Sequence, residues 1–169
     1  GYDIFCDAVK KLLDNHKNWK AYSIGDEKRI KTYSNHPKHI KLGYMPHKKV
    51  LSFLNSAEIA VIPSRWEEPF GRTALEASSR GCATIISNRG GLPETTDEAI
   101  ILKKLDSKTL KNIIENLINN SKLRKQIQFK SRKNIKHILK DNASKIDIMR
   151  ESLFPLSLIH ISEPTRRTP

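Results

Sequence analysis

Residues 58–86 read EIAVIPSRWEEPFGRTALEASSRGCATII. Glu58–Ile62 is a near-continuous apolar run closed by Pro63, the pattern of a strand buried on both faces of a sheet. Gly71–Arg80 reads as a helix closed by Gly81. Cys82–Ile86 is a second apolar run and a second buried strand. Strand, loop, helix and strand in succession form the repeating unit of a parallel sheet covered by helices.

The same alternation extends both ways. Phe5, Ala8, Val9, Leu12 and Leu13 share one face of an opening helix. Trp19–Ile24 alternates and ends at Gly25, and His39–Leu42 is a short strand stopped by Gly43. Pro46 suits a helix start, with Val50, Leu51 and Leu54 giving that helix a buried side. Residues 26–37 are polar and read as loop or a short helix. Downstream, Gly90–Glu94 is a turn and Ala99–Leu102 a last short strand. Leu110, Ile113, Ile114, Leu117 and Ile118 then mark a helix capped by Asp106 or Ser107. A further helix starts near Ser121, with Leu123, Ile127, Ile135 and Ile138 inward and Lys122, Lys125, Lys133, Lys136 and Lys140 outward. The fold class is therefore α/β with a parallel sheet. Ligands of such sheets bind at the carboxyl ends of strands, here the loops after Ile24, Leu42, Ile62 and Ile86.

Composition narrows the function. The 169 residues carry 31 Lys+Arg against 18 Asp+Glu, a net charge of +13. Residues 101–150 hold 14 of those basic residues and only 4 acidic ones. The charge thus belongs to C-terminal helices and fits a solvated lysine face, with contact to anionic lipid headgroups as the alternative. No aromatic residues interleave with these lysines as a single-strand binder would want, so nucleic acid is not expected as a partner. No apolar run approaches the roughly 18–20 residues of a membrane helix. Cys6 and Cys82 are too few for a disulfide framework and lack metal spacing, which fits a reducing, cytoplasmic setting.

The loop from Ser64 to Phe70 carries the chemistry. Free N–H groups at the start of the following helix attract a phosphate. Gly71 lets the backbone approach a ligand closely. Glu68 precedes that helix and Glu76 lies within it, and a carboxylate accepts paired hydrogen bonds from neighbouring hydroxyls. A phosphate on the helix start, flanked by two hydroxyl-rich groups, describes a nucleotide-sugar.

The pattern Glu-Pro-Phe-Gly-x4-Glu-Ala-x3-Gly-Cys-Ala over residues 68–83, with Pro63-Ser64 before it and Gly90–Glu94 after it, resembles the nucleotide-sugar domain of family 4 retaining glycosyltransferases. Gly43–Pro46, Ser56–Ala60 and Tyr22–Gly25 match further segments of that family, so the likeness covers roughly residues 1–150. It implies a Rossmann-like, doubly wound sheet, the C-terminal half of a GT-B enzyme, with extra C-terminal helices. Residues 1–156 would be the donor-binding domain lacking its first strand. Residues 157–169 resemble translated vector read-through or a disordered tail and carry no function here.

The resemblance also implies roles. Glu68, the candidate catalytic residue, would bind hydroxyls of the donor hexose. Phe70 and Gly71 would offer backbone N–H groups to the donor sugar and phosphate, with Arg72 nearby. Glu76 would hold the ribose. Gly43, Tyr44 and Met45 would line the base, and Gly25 would lie beside the donor cleft. Gly90, Gly91, Pro93 and Glu94 shape a neighbouring turn and read as structural. His47 reads as surface, and Trp66 as either a loop anchor or a wall of the acceptor cleft. Family members carry an Arg and a Lys just before the opening helix, and an N-terminal domain that binds the acceptor. The expected partners are thus a nucleotide-sugar and, through that domain, a glycan or lipid-linked acceptor in surface-glycan or lipopolysaccharide synthesis, with peripheral contact at the inner membrane face. No metal or cofactor is expected. The fragment would be inactive alone. The alternatives are a GT-B-like epimerase or phosphorylase, and a basic module binding nucleic acid or anionic membrane.

Overall fold

The computed structural model describes residues 1–25 and 36–134, with Ser144, Ile148 and Met149 beyond them. The expected inward Ile135 and Ile138, the outward Lys136 and Lys140, most of the polar segment 26–37, and the boundary at 156 all lie outside the described residues.

Helix α1 (Tyr2–Asn15) leads into strand β1 (Ala21–Ile24), then β2 (His39–Gly43), helix α2 (His47–Leu54), β3 (Ile59–Ile62), α3 (Arg72–Ser79) and β4 (Ala83–Ser87). One turn of 3-10 helix (Leu92–Glu94) precedes β5 (Ile100–Leu102) and α4 (Ser107–Asn119). A further helix, α5, occupies residues 121–134. Every strand pairing is parallel, in line with short strands joined by helices.

The core follows the apolar periods. Ile4, Ala8 and Leu12 of α1 pack with Ala83 and Ile85 of β4 and with Leu110, Ile114 and Leu117 of α4. Strand β4 is buried along its whole length, as a central strand covered on both faces should be. Asp106 caps α4: its Oδ1 accepts from the Thr109 N–H at 2.7 Å. Asn120 does the same for α5, accepting from the Leu123 N–H at 2.9 Å.

Among the described residues the parallel strands form two pieces, β1–β2 and β3–β4–β5. Two expectations need correction. Strand β3 is half-buried rather than buried on both faces. The reason is an open edge: among the described residues β3 is bonded on one side only, to β4. Helix α2 contains no buried residue, its apolar Val50, Leu51 and Leu54 being only half-buried.

A buried arginine was not foreseen. Arg124 of α5 donates from Nε to Glu58 Oε2 at 2.8 Å and from Nη1 to the carbonyl oxygens of Leu117 and Ile118, while its guanidinium stacks over Trp19 at 5.1 Å. Several hydrogen bonds and an opposite charge are what make a buried guanidinium tolerable. The contact joins the residue preceding β3 to the segment preceding β1, so both strands start at the same end of the molecule.

Candidate functional site

The loop between β3 and α3 is fastened at several points. Ser64 Oγ donates to Glu68 Oε1 at 3.0 Å and accepts the Trp66 N–H at 3.2 Å, folding the loop back on itself. The Gly91 N–H donates to the Glu68 carbonyl at 2.7 Å. The Gly90 N–H and the Arg89 guanidinium donate to the two carboxylate oxygens of Glu67, at 2.6 and 2.9 Å. Those two interactions, Arg89 first, hold the Glu67 carboxyl below its ordinary range. Arg65 pairs with Asp3, tying the loop to the start of α1.

Helix α3 starts from Gly71, whose φ of 76° is left-handed. A Cβ there would sit 2.6 Å from Leu92 Cδ2, so the position is closed to other residues on both counts. The first helical bonds run from the Ala74 and Leu75 N–H groups to the Gly71 carbonyl. The N–H groups of Arg72 and Thr73 therefore stand outside the ladder, at the positive end of the helix.

Glu76, one turn further, is held on one oxygen. His47 Nε2 lies 3.0 Å from Glu76 Oε1, and Arg72 Nη2 lies 3.5 Å from the same atom. Its Oε2, like that of Glu68, has no partner among the described residues. Arg72 itself is 76% exposed, a solvent-facing cation beside the helix start. Phe70, 45% exposed, projects at the same place.

The opposite wall is built from β1 and β2. The Gly25 N–H donates to the Gly43 carbonyl at 2.8 Å, so the two strand-ending glycines meet. A Cβ on either would find no atom within 4 Å. Tyr44 stands 80% exposed just past Gly43, with Met45 half-buried after it. The candidate residues thus cluster at the carboxyl ends of β1, β2 and β3, where ligands of open parallel sheets bind.

Two side chains of the site escaped the sequence. His47 is exposed as expected, yet it orients Glu76 across 29 positions. Glu67 is the acceptor that anchors the glycine turn. Gly90 and Gly91 are structural, as read: a Cβ on Gly91 would lie 2.7 Å from the Pro69 carbonyl oxygen. Trp66 lies 72% exposed at the loop's tip. Burial lifts the Cys82 thiol to about 11 and pushes Cys6 up as well, which keeps both inert. Among the described residues no three His, Cys, Asp or Glu side chains converge in a way that could hold a metal ion.

The sequence model of the glycosyl transferases group 1 family matches residues 1–140. The chain belongs to that family. An uncharacterized glycosyltransferase of Methanocaldococcus jannaschii is 34% identical over 136 residues, covering 75% of this chain and 37% of the relative. The C-terminal domain of a group 1 glycosyl transferase from Francisella tularensis superposes with a TM-score of 0.69 at 25% identity, covering 81% of this chain and 78% of that domain. An Anabaena protein crystallised with UDP-glucose superposes with a TM-score of 0.73 at 18% identity, covering 89% of this chain and 45% of that one. The group 1 chain spans well under half the length of the curated relatives it matches. The α/β architecture with parallel strands is that of these structural neighbours.

Proposed function

We propose that this chain is the donor-binding domain of a retaining glycosyltransferase that moves a sugar from a nucleotide-sugar to an acceptor hydroxyl. The observation that carries the reading is the pair of half-satisfied carboxylates, Glu68 and Glu76, on either side of the left-handed start of α3. The donor diphosphate lies at the N–H groups that open α3, where the helix dipole and Arg72 supply positive charge. Stabilising charge on the departing diphosphate is the largest contribution such a site makes to the reaction. Glu68 Oε2 accepts from hydroxyls of the sugar and Glu76 Oε2 from the ribose. Gly25, Gly43, Tyr44 and Met45 line the base. The structural neighbour that holds UDP-glucose supports a nucleotide-sugar as the ligand class. No resident metal takes part, the donor itself being the only small molecule required.

Titration calorimetry with UDP and UDP-glucose as probes tests the assignment. Glu76→Ala weakens both, by about 1–3 kcal/mol, as loss of a charged acceptor should. Glu68→Ala weakens UDP-glucose and leaves UDP unchanged. Equal affinities for all three proteins would remove both roles.

A second reading concerns partners. Lys122, Lys125, Phe129 and Lys133 form one exposed stripe of α5, and Phe129 is 70% exposed at its centre. Cations around an apolar ring suit an anionic lipid surface. We infer peripheral contact at the cytoplasmic membrane face, consistent with a glycan or lipid-linked acceptor in surface-glycan or lipopolysaccharide synthesis. Co-sedimentation with vesicles containing phosphatidylglycerol should fall several-fold in Phe129→Ser, and no fall would end this reading.

A further inference from the structure

A cavity of about 310 Å³ opens at the starting ends of β3 and β4, opposite the end that carries the loop 63–70. Three elements line it. Asn55–Glu58 is the turn that leads into β3, and Arg80 and Gly81 close α3. Lys125, Gln128, Phe129 and Arg132 form one face of α5 at helical spacing. Arg132 is held in place, its Nε and Nη2 donating to the Arg80 carbonyl at 3.3 and 2.8 Å. Gly81, at a left-handed φ of 83°, makes room for it, since a Cβ there would collide with the guanidinium. These bonds use two of the five N–H donors of Arg132 and leave three. Among the described residues the Arg80 side chain is wholly unspent: its Nε is enclosed without an acceptor, and it pairs with no carboxylate. Lys125, exposed on α5, pairs with none either. Glu58 is the single acid of the lining, and it is engaged by Arg124 at 2.8 Å and by Gln128 Nε2 at 3.3 Å.

Arg80, Lys125 and Arg132 therefore share one small cavity with no carboxylate left to answer them, and an enclosed guanidinium N–H without an acceptor is costly. Capping the end of α3 accounts for Arg132 and leaves Arg80 and Lys125 without a task. Two guanidinium forks and an ammonium exceed what one carboxylate can occupy. They match the oxygens and near-double charge of a phosphate monoester. We propose that this cavity binds a phosphate monoester group, held by Arg80, Lys125 and Arg132. Asn55 and Gln128 line its sides, and Phe129, 70% exposed, meets the carbon part of the ligand. A soluble phosphate ester and a phosphatidate headgroup present this same chemistry. The cavity sits at the far end of α3 from Gly71 and does not depend on any donor-binding role. Lys125 and Phe129 also belong to the lipid-facing stripe of α5, whereas Arg80 does not, so Arg80 tells the cavity from the stripe.

Titrating inorganic phosphate into the 169-residue chain at constant ionic strength, followed by nitrogen-15 NMR, tests the site. The Gly81 amide and the Arg132 Nε–H signal should shift saturably, while the amides of Gly71, Arg72 and Thr73 report the other end of α3 separately. Arg80→Gln should weaken phosphate at Gly81 at least ~10-fold, and Lys125→Ser at least ~3-fold. Lys133→Ser makes the same change of charge outside the cavity and should stay within about 2-fold of the parent. The Arg80 side chain holds no other residue, so Arg80→Gln should fold, and Lys125→Ser at its exposed position carries the test if it does not. Vesicles of phosphatidylcholine with either phosphatidate or phosphatidylglycerol then separate the two sources. With a lipid headgroup as the source, Arg80→Gln lowers co-sedimentation on phosphatidate and not on the diester phosphatidylglycerol. With a soluble ester as the source, co-sedimentation is indifferent to Arg80 while the phosphate titration is not. The proposal is overturned if the Gly81 and Arg132 signals move only linearly with phosphate, or only the Gly71–Thr73 amides respond. It is equally overturned if Lys133→Ser costs as much as Arg80→Gln and Lys125→Ser, which would reduce the cavity to general surface charge.

Discussion

The two walls of the candidate site are built in opposite ways. On the β3 side the loop 63–70 is clasped: the glycine turn after β4 is pressed against it, and Glu67, Glu68 and Ser64 are all engaged. On the β1–β2 side Gly25 and Gly43 meet through their backbones, a Cβ on either would touch nothing, and Tyr44 stands exposed beyond them. A glycine in the first wall is there because a neighbour occupies the space. A glycine in the second wall faces an empty space that a ligand can use. The difference assigns rigidity to the part that would hold phosphate and sugar, and openness to the part that would receive a flat base.

Substitutions at matched glycines should separate the walls. Gly90→Ala puts a methyl 2.7 Å from the Glu68 nitrogen, at a left-handed φ of 51°. Backbone cannot yield as a side-chain tip can, so about 3 kcal/mol of stability should be lost in urea unfolding. UDP-glucose binding should be lost with it. A Gly90→Ala protein as stable as the parent would break the claim that the clasp is tight.

Next in size is His47→Ala. Removing the imidazole frees Glu76 Oε1 without touching its second oxygen, so UDP affinity should fall by about 1 kcal/mol, less than for Glu76→Ala. His47→Gln, which can still donate to the carboxylate, should restore most of the loss. Equal losses for His47→Ala and Glu76→Ala would mean that the imidazole itself meets the ligand.

On the open wall, Gly43→Ala meets no neighbour, and only its φ of 65° is unfavourable. Its cost should be about 1 kcal/mol, roughly a third of that at Gly90. If the base lies against Gly43, Gly43→Val should weaken UDP more than it destabilises the fold. The reverse ranking would move the base elsewhere.

Much of the fold beneath this contrast was legible in the sequence, for physical reasons that differ by element. Helices α1 and α4 announce themselves because one buried stripe imposes its period on apolar residues. Strand β4 does so because burial on both faces removes polar residues altogether. Strand β3 has the same composition, and only its pairing state leaves it half-buried. Composition records the environment a strand can fill and carries no mark of an open edge. Glu68 and Glu76 drew attention through the longer pattern around Gly71 and its family resemblance, since their spacing alone is too common to single them out. His47 and Glu67 were not, because a pairing across 29 or 22 positions depends on how separate loops meet.

The smallest effect isolates the clasp by pH. Glu67 is held below its ordinary value of 4.5 by Arg89 and then by the Gly90 N–H. A depressed carboxyl contributes stability above its unfolded value and loses it as pH falls through the folded value. The loop should therefore loosen below pH 4.5, not above it. Trp66 rides on this loop and reports its state by fluorescence, once Trp19 is replaced by Phe. Asp3 also titrates low: burial alone would raise it, and Arg65 outweighs that. Asp3 stays in place in Glu67→Gln, so the difference between the two titrations belongs to Glu67. The parent should show an acid component beyond the one Asp3 gives the variant, with the variant's loop already loosened at neutral pH. Superimposable curves would mean that the glycine turn is held by backbone contacts alone, and that the carboxylate is incidental to the clasp.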